Sequence, residues 1–275
     1  MLIKMIPTYI ISLKDHKYKR DNLINQIKKQ GQDKYEIIDA FDARNMNFQQ
    51  FPNYKRNLRL NLYGKDLIGP EFGCYLSHKN IFQKIVNENI PYAIVLEDDA
   101  KLKDNFFFVI ENLLKKYPEL DLVRFLGKNK IDDKPKRDIL KLVEGYNLVR
   151  LHGSPGGTYS YVISKSGAKK MLLKMNKIFT AIDTLMGLQF YTNIDILTIH
   201  PRISSWDDNL GTTIGSKRYK KNITGFYKVS YPITRLLFKS LEECTKLYFY
   251  FKNFWSDYKK FKSSAPSKNK EAELK

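Results

Sequence analysis

Three consecutive carboxylates, Glu97, Asp98 and Asp99, follow a short apolar run at residues 93–96. In α/β sheets, side chains at the carboxyl ends of buried strands line the edge where ligands bind. Carboxylate oxygens are hard ligands for Mg²⁺ or Mn²⁺, which proteins hold with one or two carboxylates and substrate phosphates. The triplet is therefore a candidate site for a divalent cation that bridges to a diphosphate. A solvated turn that caps the next helix is the alternative, and the tripeptide alone favours it.

The residues around the triplet predict alternating strands and helices, which is typical of an α/β domain. Apolar, β-branched runs indicate strands, and apolar residues three and four positions apart indicate helices. The predicted strands cover residues 7–13, 35–39, 92–98, 121–127, 146–152, 158–164 and 194–200. The predicted helices cover residues 17–30, 71–90, 104–117 and 164–175. The strands at 146–152 and 158–164 are expected around the turn SPGG, and the segments 42–69 and 128–138 are expected to be irregular.

Positive charge is concentrated towards the end of the chain. The sequence has 48 Lys/Arg against 29 Asp/Glu, a formal net charge of +19, and residues 217–275 hold 15 of the cations but only five of the acids. This balance favours an anionic partner: nucleic acid, a phosphorylated small molecule or an anionic membrane surface. Aromatic side chains are interleaved with the lysines, so we predict a basic helical extension at 217–262 and a disordered tail at 263–275.

Several classes of protein lack support in the sequence. Cys74 and Cys244 are too few and too far apart for a disulfide framework, and they indicate a reducing compartment. Lys4 and Pro7 interrupt the apolar N-terminal stretch, which we interpret as a first strand and not as a signal peptide. No apolar run approaches the ~20 residues of a membrane-spanning helix. The sequence also lacks a zinc pattern, an RNP-like motif and a P-loop, which argues against nucleic-acid binding and phosphotransfer.

A longer segment around the triplet, residues 69–102, resembles the central signature of the family 25 glycosyltransferases. These are lipopolysaccharide-type sugar transferases related to the collagen galactosyltransferases. The signature joins a Glu-x-Gly-Cys-x-x-Ser-His helix to a strand ending in Leu-Glu-Asp-Asp. The matching residues are Glu71, Gly73, Cys74, Ser77, His78, Leu96, Glu97, Asp98 and Asp99. Shorter blocks extend the resemblance over about residues 7–215. They lie at Ser12, Leu13 and Arg20, at residues 156–172 and at Ile182-Asp183, with a partial match at residues 37–45.

The resemblance implies a GT-A fold, a Rossmann-like α/β domain with a mixed central sheet, over residues 1–216. It also implies inverting transfer of a hexose, with galactose or glucose favoured, from a UDP-sugar to a lipopolysaccharide or lipooligosaccharide acceptor. The triplet then corresponds to the family's Asp-x-Asp motif. Asp99 and Asp98 are expected to bind Mn²⁺ or Mg²⁺, with Glu97 or Asp98 near the ribose or a metal-bound water. His200, at a strand end, is a weaker candidate for a further metal ligand.

The donor is expected at the end of the first strand. The resemblance implies that Ile11, Ser12 and Leu13 contact the uracil and ribose of the UDP-sugar. Arg20 is expected near the uracil or diphosphate, although its residue type alone fits a solvated cation on a helix face. Asp42 is counted among the donor-binding residues because it lies in the partly matching block after the second strand.

An inverting transfer needs a base that removes the proton of the acceptor hydroxyl, and this base must be distinct from the metal ligands. Asp183 is the expected base, with the pair Asp207-Asp208 as an alternative, and Asp183 could instead cap a helix. His78 is expected to contact the diphosphate or to position the acceptor. The other interpretation makes His78 a half-buried structural histidine.

The basic extension has two interpretations. Acceptors of this family in bacteria are lipid-linked oligosaccharides, so the extension is expected to hold the enzyme on an anionic membrane surface. The protein would then be cytoplasmic and peripheral on the cytoplasmic face of the inner membrane, without a nucleic-acid partner. The other interpretation is a helical subdomain that packs on the catalytic domain or on a second chain. For the whole chain, a basic nucleic-acid-binding protein and a catalytically inactive transferase relative are the alternatives.

Overall fold

The structure is a computed structural model that describes residues 6–125, 135–207 and 223–264. Over these ranges the strands are β1 Thr8–Ser12, β2 Glu36–Asp39, β3 Tyr92–Glu97, β4 Ala100–Leu102, β5 Leu122–Arg124, β6 Lys136–Val143, β7 Tyr146–Leu151, β8 Ser160–Ser164, β9 Ile196–His200 and β10 Ser204–Trp206. The helices are α1 Lys17–Lys29, α2 Arg56–Tyr63, α3 Gly69–Asn87, α4 Phe106–Lys116, α5 Lys165–Lys174, α6 Ile182–Gly187, α7 Gln189–Thr192, α8 Tyr227–Lys252 and α9 Phe254–Ser264. A short 3₁₀ helix covers Phe48–Gln50.

Eight of these strands form one mixed sheet in the order β2-β1-β3-β8-β5-β9-β7-β6. Strand β1 pairs in parallel with β2 and β3, and β5 pairs in parallel with β9, whereas β8 runs antiparallel between β3 and β5. The carboxyl ends of β1, β3, β5 and β9 therefore share one edge of the sheet. The predicted α/β fold, with a mixed central sheet and a helical C-terminal extension, is confirmed.

Apolar layers cover both faces of the sheet. Successive side chains of a strand point to opposite faces, so Tyr9 and Ile11 pack in the layer that contains α3 and α5, whereas Ile10 packs in the layer with α1 and α4. Residues 93–96 of β3 are buried between the same two layers. Burial on both faces explains why these strands are continuous apolar runs in the sequence.

Two predictions about local structure are wrong. Residues 42–69 are not all irregular, because they include α2 and the 3₁₀ helix. Helix α2 packs against α8, a partner far along the chain that its own pattern could not reveal. Residues 136–138, expected in a loop, begin β6. The two strands expected around SPGG are present as β7 and β8, and they pair with other strands: β7 with β6 and β9, and β8 with β3 and β5.

Helices α8 and α9 pack on the α/β domain as a docked subdomain. Asp257, in the first turn of α9, is 2% exposed and accepts hydrogen bonds from Arg137 Nη2 of β6 (2.5 Å) and Arg150 Nε of β7 (2.8 Å). Helix α8 lies along α2, where Thr234 Oγ1 donates to the carbonyl oxygen of Asn61. The extension therefore has a fixed position on the sheet and on α2.

The end of the described chain differs slightly from the prediction. Helix α9 includes residues 263 and 264, the first two of the predicted disordered tail. The rest of that tail lies outside the described residues. In the described ranges, no helix combines the length and the apolarity that a membrane crossing requires.

Candidate active site

Helix α3 holds the loop that follows β2 against its surface. A Cβ atom at Gly73 would lie 2.3 Å from the carbonyl oxygen of Phe41, and one at Gly69 would lie 2.1 Å from that of Ala43. Ser77 Oγ accepts a hydrogen bond from the amide of Phe41 and donates one to the carbonyl oxygen of Gly73, both at 2.8 Å. The two glycines therefore allow a close approach of backbones that any side chain would prevent.

Backbone hydrogen bonds fix the acidic triplet at the carboxyl end of β3. The amide of Asp98 donates to the carbonyl oxygen of Ile11 in β1 at 3.1 Å. The carbonyl oxygen of Asp99 accepts from the amide of Asp207, directly after β10, at 2.9 Å. The triplet is thus attached both to the first strand and to the small β4–β10 sheet, and its three carboxyl groups have different surroundings.

Asp98 connects the triplet to the loop after β1. Its Oδ2 accepts a hydrogen bond from Ser12 Oγ at 2.8 Å and lies 3.2 Å from His16 Nδ1. Burial raises the pKa of Asp98, against the lowering effects of Ser12, His16 and Lys19. His16 is a site residue that the sequence analysis missed, and its position just after the first strand was the available signal.

Glu97 belongs to a buried hydrogen-bonded chain. Its Oε1 lies 3.2 Å from His78 Nε2, and His78 Nδ1 lies 2.7 Å from the hydroxyl of Tyr161. Burial acts to raise the pKa of Glu97, but hydrogen bonds from His78 and Thr158 and the charge of His78 outweigh it, so the pKa is lowered. His78 is 0% exposed, and protein groups contact both its ring nitrogens. This geometry fits a residue that positions Glu97.

The same region contains a second possible set of metal ligands. One ligand atom each of Cys74, His78 and Glu97 lies within 4.8 Å of the others. Burial raises the pKa of the Cys74 thiol well above its ordinary value, and the nearby charges of Glu97 and Asp183 add to this effect. Both ring nitrogens of His78 already have protein partners, Nε2 in Glu97 Oε1 at 3.2 Å and Nδ1 in the hydroxyl of Tyr161 at 2.7 Å. These three residues therefore fit a hydrogen-bonded core better than a metal centre.

Asp99 has the most unusual environment of the three acids. Its Oδ1 is buried and has no hydrogen-bond partner among the described residues. Burial, with the negative charges of Glu97 and Asp98, raises the pKa of Asp99 to about 8. A buried carboxylate without a partner is costly, and a divalent cation would supply the missing partner and favour the ionised form. The residues present therefore fit a bound Mn²⁺ or Mg²⁺.

Six of the predicted donor-binding residues line one cleft next to the triplet: Ile11, Ser12, Leu13, Asp42, Glu97 and Asp98. The structure adds Arg44 to this cleft. Its guanidinium contacts both carboxylate oxygens of Asp42, with Nε–Oδ1 2.9 Å and Nη2–Oδ2 2.6 Å, and its Nη1 donates to Asp15 at 2.8 Å. These bonds hold the pKa of Asp42 at about 2. The cleft thus combines fixed backbone groups with polar side chains of both charges.

Arg124 of β5 is a second site residue that sequence reasoning missed. Its Nη1 donates to Ser154 Oγ (2.9 Å) and to the carbonyl oxygen of Asp183 (3.2 Å), and its Nη2 donates to the carbonyl oxygen of Gly157. Burial lowers the pKa of Arg124 to about 10, against the effects of Asp183, Tyr161 and Glu97. A cation inside the apolar run that predicts a strand at residues 121–127 was the signal that could have found it.

Asp183 lies in the first turn of α6. Ala181 occupies the N-cap position, so the alternative that Asp183 caps this helix is wrong. Its Oδ1 accepts hydrogen bonds from the amide and hydroxyl of Thr184 at 2.6 and 3.2 Å. Asp183 lines a second cavity, of about 210 Å³, whose walls also include residues 154–156 and part of α8. Of the alternative base pair, Asp208 lies outside the described residues.

Arg20 and His200 are not brought to the cleft beside the triplet. Arg20 lies one turn beyond His16 on α1 and is absent from the residues that line the cleft. His200 ends β9, three strand positions from β3, which corresponds to about 14 Å at the usual strand spacing. Its Nε2 lies 3.2 Å from Lys136 Nζ. Roles in nucleotide and metal binding for these two residues stay predictions.

The chain is similar to a family model, to curated proteins and to a solved structure. The family model described as "Glycosyltransferase family 25 (LPS biosynthesis protein)" matches residues 5–186. The inactive glycosyltransferase 25 family member 3 of Mus musculus and the procollagen galactosyltransferase 1 of Danio rerio are each 29% identical over 149 residues. A crystal structure of a Drosophila β-1,4-galactosyltransferase 7 mutant, in complex with manganese, UDP-Gal and xylobiose, has 12% identity and a TM-score of 0.37 over 82% of this chain and 78% of its own.

The matches cover different shares of the proteins compared. Each of the two curated relatives matches 50% of this chain, but only 24% and 23% of its own length. The chain therefore matches about a quarter of those relatives. The region matched by the family model includes α3, the acidic triplet and Asp183, and it ends before α7, α8 and α9.

Proposed function

Because the chain belongs to glycosyltransferase family 25, we propose that it transfers a hexose from a UDP-sugar to a hydroxyl of a lipopolysaccharide or lipooligosaccharide acceptor. The transfer inverts the anomeric carbon and depends on Mn²⁺ or Mg²⁺. Galactose is favoured over glucose because the Danio rerio relative is named as a galactosyltransferase. The buried oxygen of Asp99, which has no hydrogen-bond partner among the described residues, carries the proposal. Family membership favours this function over nucleic-acid binding.

The cleft between β1, the loop after β2 and the triplet is the proposed donor site. Backbone groups of Ile11, Ser12 and Leu13 line it and suit the uracil and ribose. Asp99, with Asp98, would hold the cation. Such an ion supplies Lewis-acid stabilisation of charge on the diphosphate leaving group. Arg44, at the same cleft, adds a cation that suits the diphosphate.

Asp183 is the proposed base that accepts the proton of the acceptor hydroxyl. Two hydrogen bonds from Thr184 orient its carboxylate, and Arg124 holds its backbone carbonyl. Asp183→Asn is expected to abolish transfer while the affinity for UDP-galactose stays the same. Loss of donor binding in this variant would contradict the role as base.

Metal titration tests the central claim. We expect calorimetric titration of Mn²⁺ in the presence of UDP to show binding to the wild type and much weaker binding to Asp99→Asn. The matched control is Asp104→Asn, an exposed acid just after β4, which should bind Mn²⁺ like the wild type. Equal UDP-dependent affinity in all three proteins would refute the metal site at Asp99.

The outer face of α8 and α9 supports attachment to an anionic membrane surface. Large apolar residues are exposed along it: Phe226, Val229, Ile233, Leu236, Leu237, Leu241, Leu247, Tyr248, Phe251, Trp255 and Tyr258. At 100° per residue, those of α8 form one stripe, which is typical of a helix that lies in the membrane interface. The exposed lysines Lys252 of α8 and Lys259 and Lys262 of α9 would add about 1 kcal/mol each near the surface. We propose a peripheral location on the cytoplasmic face of a bacterial inner membrane.

Vesicle sedimentation tests this attachment. Truncation before α8 would remove two helices that pack on the rest of the protein. Point variants therefore test the membrane contact more specifically. Leu236→Gln combined with Leu237→Gln should reduce binding to phosphatidylglycerol vesicles. Leu173→Gln, at an equally exposed leucine on α5 (76% exposed), should bind like the wild type. Unchanged binding of the double variant would exclude the stripe from membrane attachment.

A catalytically inactive relative is the second candidate function. One finding favours it, since the Mus musculus relative is named as inactive. The two candidates differ in turnover and not in donor binding. Release of UDP from UDP-galactose in the presence of Mn²⁺ would support the transferase. Donor binding without release of UDP, with or without sugar acceptors, would favour the inactive relative.

A further inference from the structure

The cavity beside Asp183 has one wall that lies beyond the family-matched region. Helix α8 contributes Lys239, Glu242, Thr245 and Lys246 to this wall, whereas the family match ends at residue 186. At 100° per residue, these four residues lie on the side of α8 opposite its exposed apolar stripe. One helix therefore has two faces with different surroundings, and its inner face meets the cavity.

Aromatic and polar contacts hold α8 in this position. The ring of Phe238 packs edge-on against Phe190 of α7 and against Tyr63 at the end of α2, both at 5.9 Å between centroids. One turn earlier, Arg235 Nη1 donates to the carbonyl oxygen of Leu62 at 3.2 Å. The cavity wall is thus anchored to two other helices and is a fixed part of the fold.

The chemistry of the cavity suits a neutral polyhydroxyl ligand. The formal charges of Asp183 and Glu242 balance those of Lys239 and Lys246, and Lys239 Nζ lies 2.7 Å from Glu242 Oε2. The rest of the lining combines apolar residues, such as Leu188 and Phe190, with the hydroxyl-bearing residues Ser154, Thr184 and Thr245. Carboxylate, amide and hydroxyl groups all form hydrogen bonds with sugar hydroxyls. The cavity walls carry no excess of positive charge that would favour an anionic ligand.

We infer that α8 forms the acceptor-sugar subsite, and that this subsite takes a neutral sugar ring, with Glu242 and Thr245 as specificity-determining residues. The inference rests on the proposed function, because it assumes that Asp183 faces the acceptor. It assigns the choice of acceptor to a helix outside the family-matched region. The C-terminal extension then takes part in substrate selection in addition to any contact with a membrane.

Ligand-observed NMR titration of the full-length protein tests the subsite. The probes are methyl β-D-galactoside and methyl β-D-glucoside, which are neutral, and galactose 6-phosphate, which is anionic. The wild type should bind a neutral glycoside more tightly than the sugar phosphate. Glu242→Gln replaces a charged acceptor by a neutral amide, and Thr245→Val removes a hydroxyl, so each should weaken that binding about ten-fold. Glu144→Gln, at an exposed acid just after β6 that does not line the cavity, is the matched control and should bind like the wild type.

Three results would overturn the inference: no binding of either neutral glycoside, tighter binding of galactose 6-phosphate, or unchanged glycoside affinity in the Glu242 and Thr245 variants. Melting curves first establish whether Glu242→Gln is folded. If it is not, the glycoside affinity of Thr245→Val alone decides the outcome. UDP-galactose affinity is measured separately on every protein and should be unchanged. Failure of the wild type to bind UDP-galactose would refute the proposed function, whereas the glycoside results test only the role of α8.

Discussion

Replacing Asp257 by Ala should strongly destabilise the protein, because it leaves a buried cation without its carboxylate. Asp257 Oδ2 accepts hydrogen bonds from Arg137 Nε (3.1 Å) and from Arg150 Nε (2.8 Å). Arg150 keeps a second carboxylate, since its Nη2 donates to Asp195 at 3.0 Å. Among the described residues, Arg137 then keeps the carbonyl oxygen of Tyr250, at 2.6 Å, as its hydrogen-bond acceptor. The cost therefore falls mainly on Arg137, whose side chain is 12% exposed.

The expected loss follows from the burial of this pair. Removing one partner of a buried ion pair costs about 3–5 kcal/mol, and 1 kcal/mol corresponds to roughly 2–4 °C in melting temperature for a domain of about this size. We expect Asp257→Ala to melt roughly 6–20 °C below the wild type in scanning calorimetry. Adding Arg137→Met removes the uncompensated charge, so the double variant should regain part of the loss.

An exposed ion pair between the same two parts of the molecule provides the control. Lys260 of α9 contacts Glu119, with side chains 35% and 54% exposed, and Glu119→Gln should cost less than about 1 kcal/mol. An equal effect of Asp257→Ala and Glu119→Gln would refute the claim that the buried ion pairs hold α9. Absence of rescue by Arg137→Met would show that the loss has another cause than unpaired charge.

Three further variants test the site. Gly73→Ala should weaken UDP-galactose binding in calorimetric titration, because overpacking against the loop after β2 costs about 1–3 kcal/mol. Asp99→Asn should raise the melting temperature of the metal-free protein more at pH 8 than at pH 5. Burial raises the pKa of Asp99 to about 8 in the folded protein, so the stability present below about pH 4 is lost as the pH rises towards 8. Tyr161→Phe should cost about 1–3 kcal/mol in urea unfolding, because His78 Nδ1 loses its partner; Tyr75→Phe, whose hydroxyl has no hydrogen-bond partner within the described ranges, should cost less.

Each of these predictions has an outcome that would contradict it. Gly156→Ala adds a methyl group in open space, and a loss of donor affinity equal to that of Gly73→Ala would argue against the loop mechanism. A difference between Asp99→Asn and the wild type that does not change from pH 5 to pH 8 would mean that Asp99 does not titrate in this range. Equal costs of Tyr161→Phe and Tyr75→Phe would mean that the bond to His78 contributes nothing.

Local patterns in the sequence predicted the elements that carry the site. The segments of β1, β2 and β3 each contain the apolar pattern of a strand. These strands can therefore be recognised without knowledge of the fold. The acidic triplet can be identified as a site from the sequence because the motif that identifies it consists of residues close together in the chain, in α3 and β3. The family resemblance implied that Ser12 and Asp42 lie near the triplet, and the parallel pairing of β1 with β2 and β3 explains why they line one cleft beside it.

Contacts between distant segments could not be predicted in this way. Arg124 acts on residues 30 and 59 positions away, Ser154 and Asp183, and no local pattern links them. Strand β8 follows β7 in sequence but pairs elsewhere, because the sheet buries it between β3 and β5. The docking of α9 depends on Asp257 meeting two arginines more than 100 residues earlier, and a single acid in a basic helix gives no sign of this.

The antiparallel direction of β8 has a consequence for how two substrates meet. Because β8 begins at the edge where β3 and β5 end, the segment that leads into it must lie across that edge. Thr158 of this segment hydrogen-bonds to Glu97 on the donor side, Gly157 accepts from Arg124, and residues 154–156 line the cavity beside Asp183. On the proposed function, these few residues form a partition between the donor cleft and the acceptor cavity. A change in the length of this partition would alter the affinities for both substrates at once, whereas changes in α8 would alter only one.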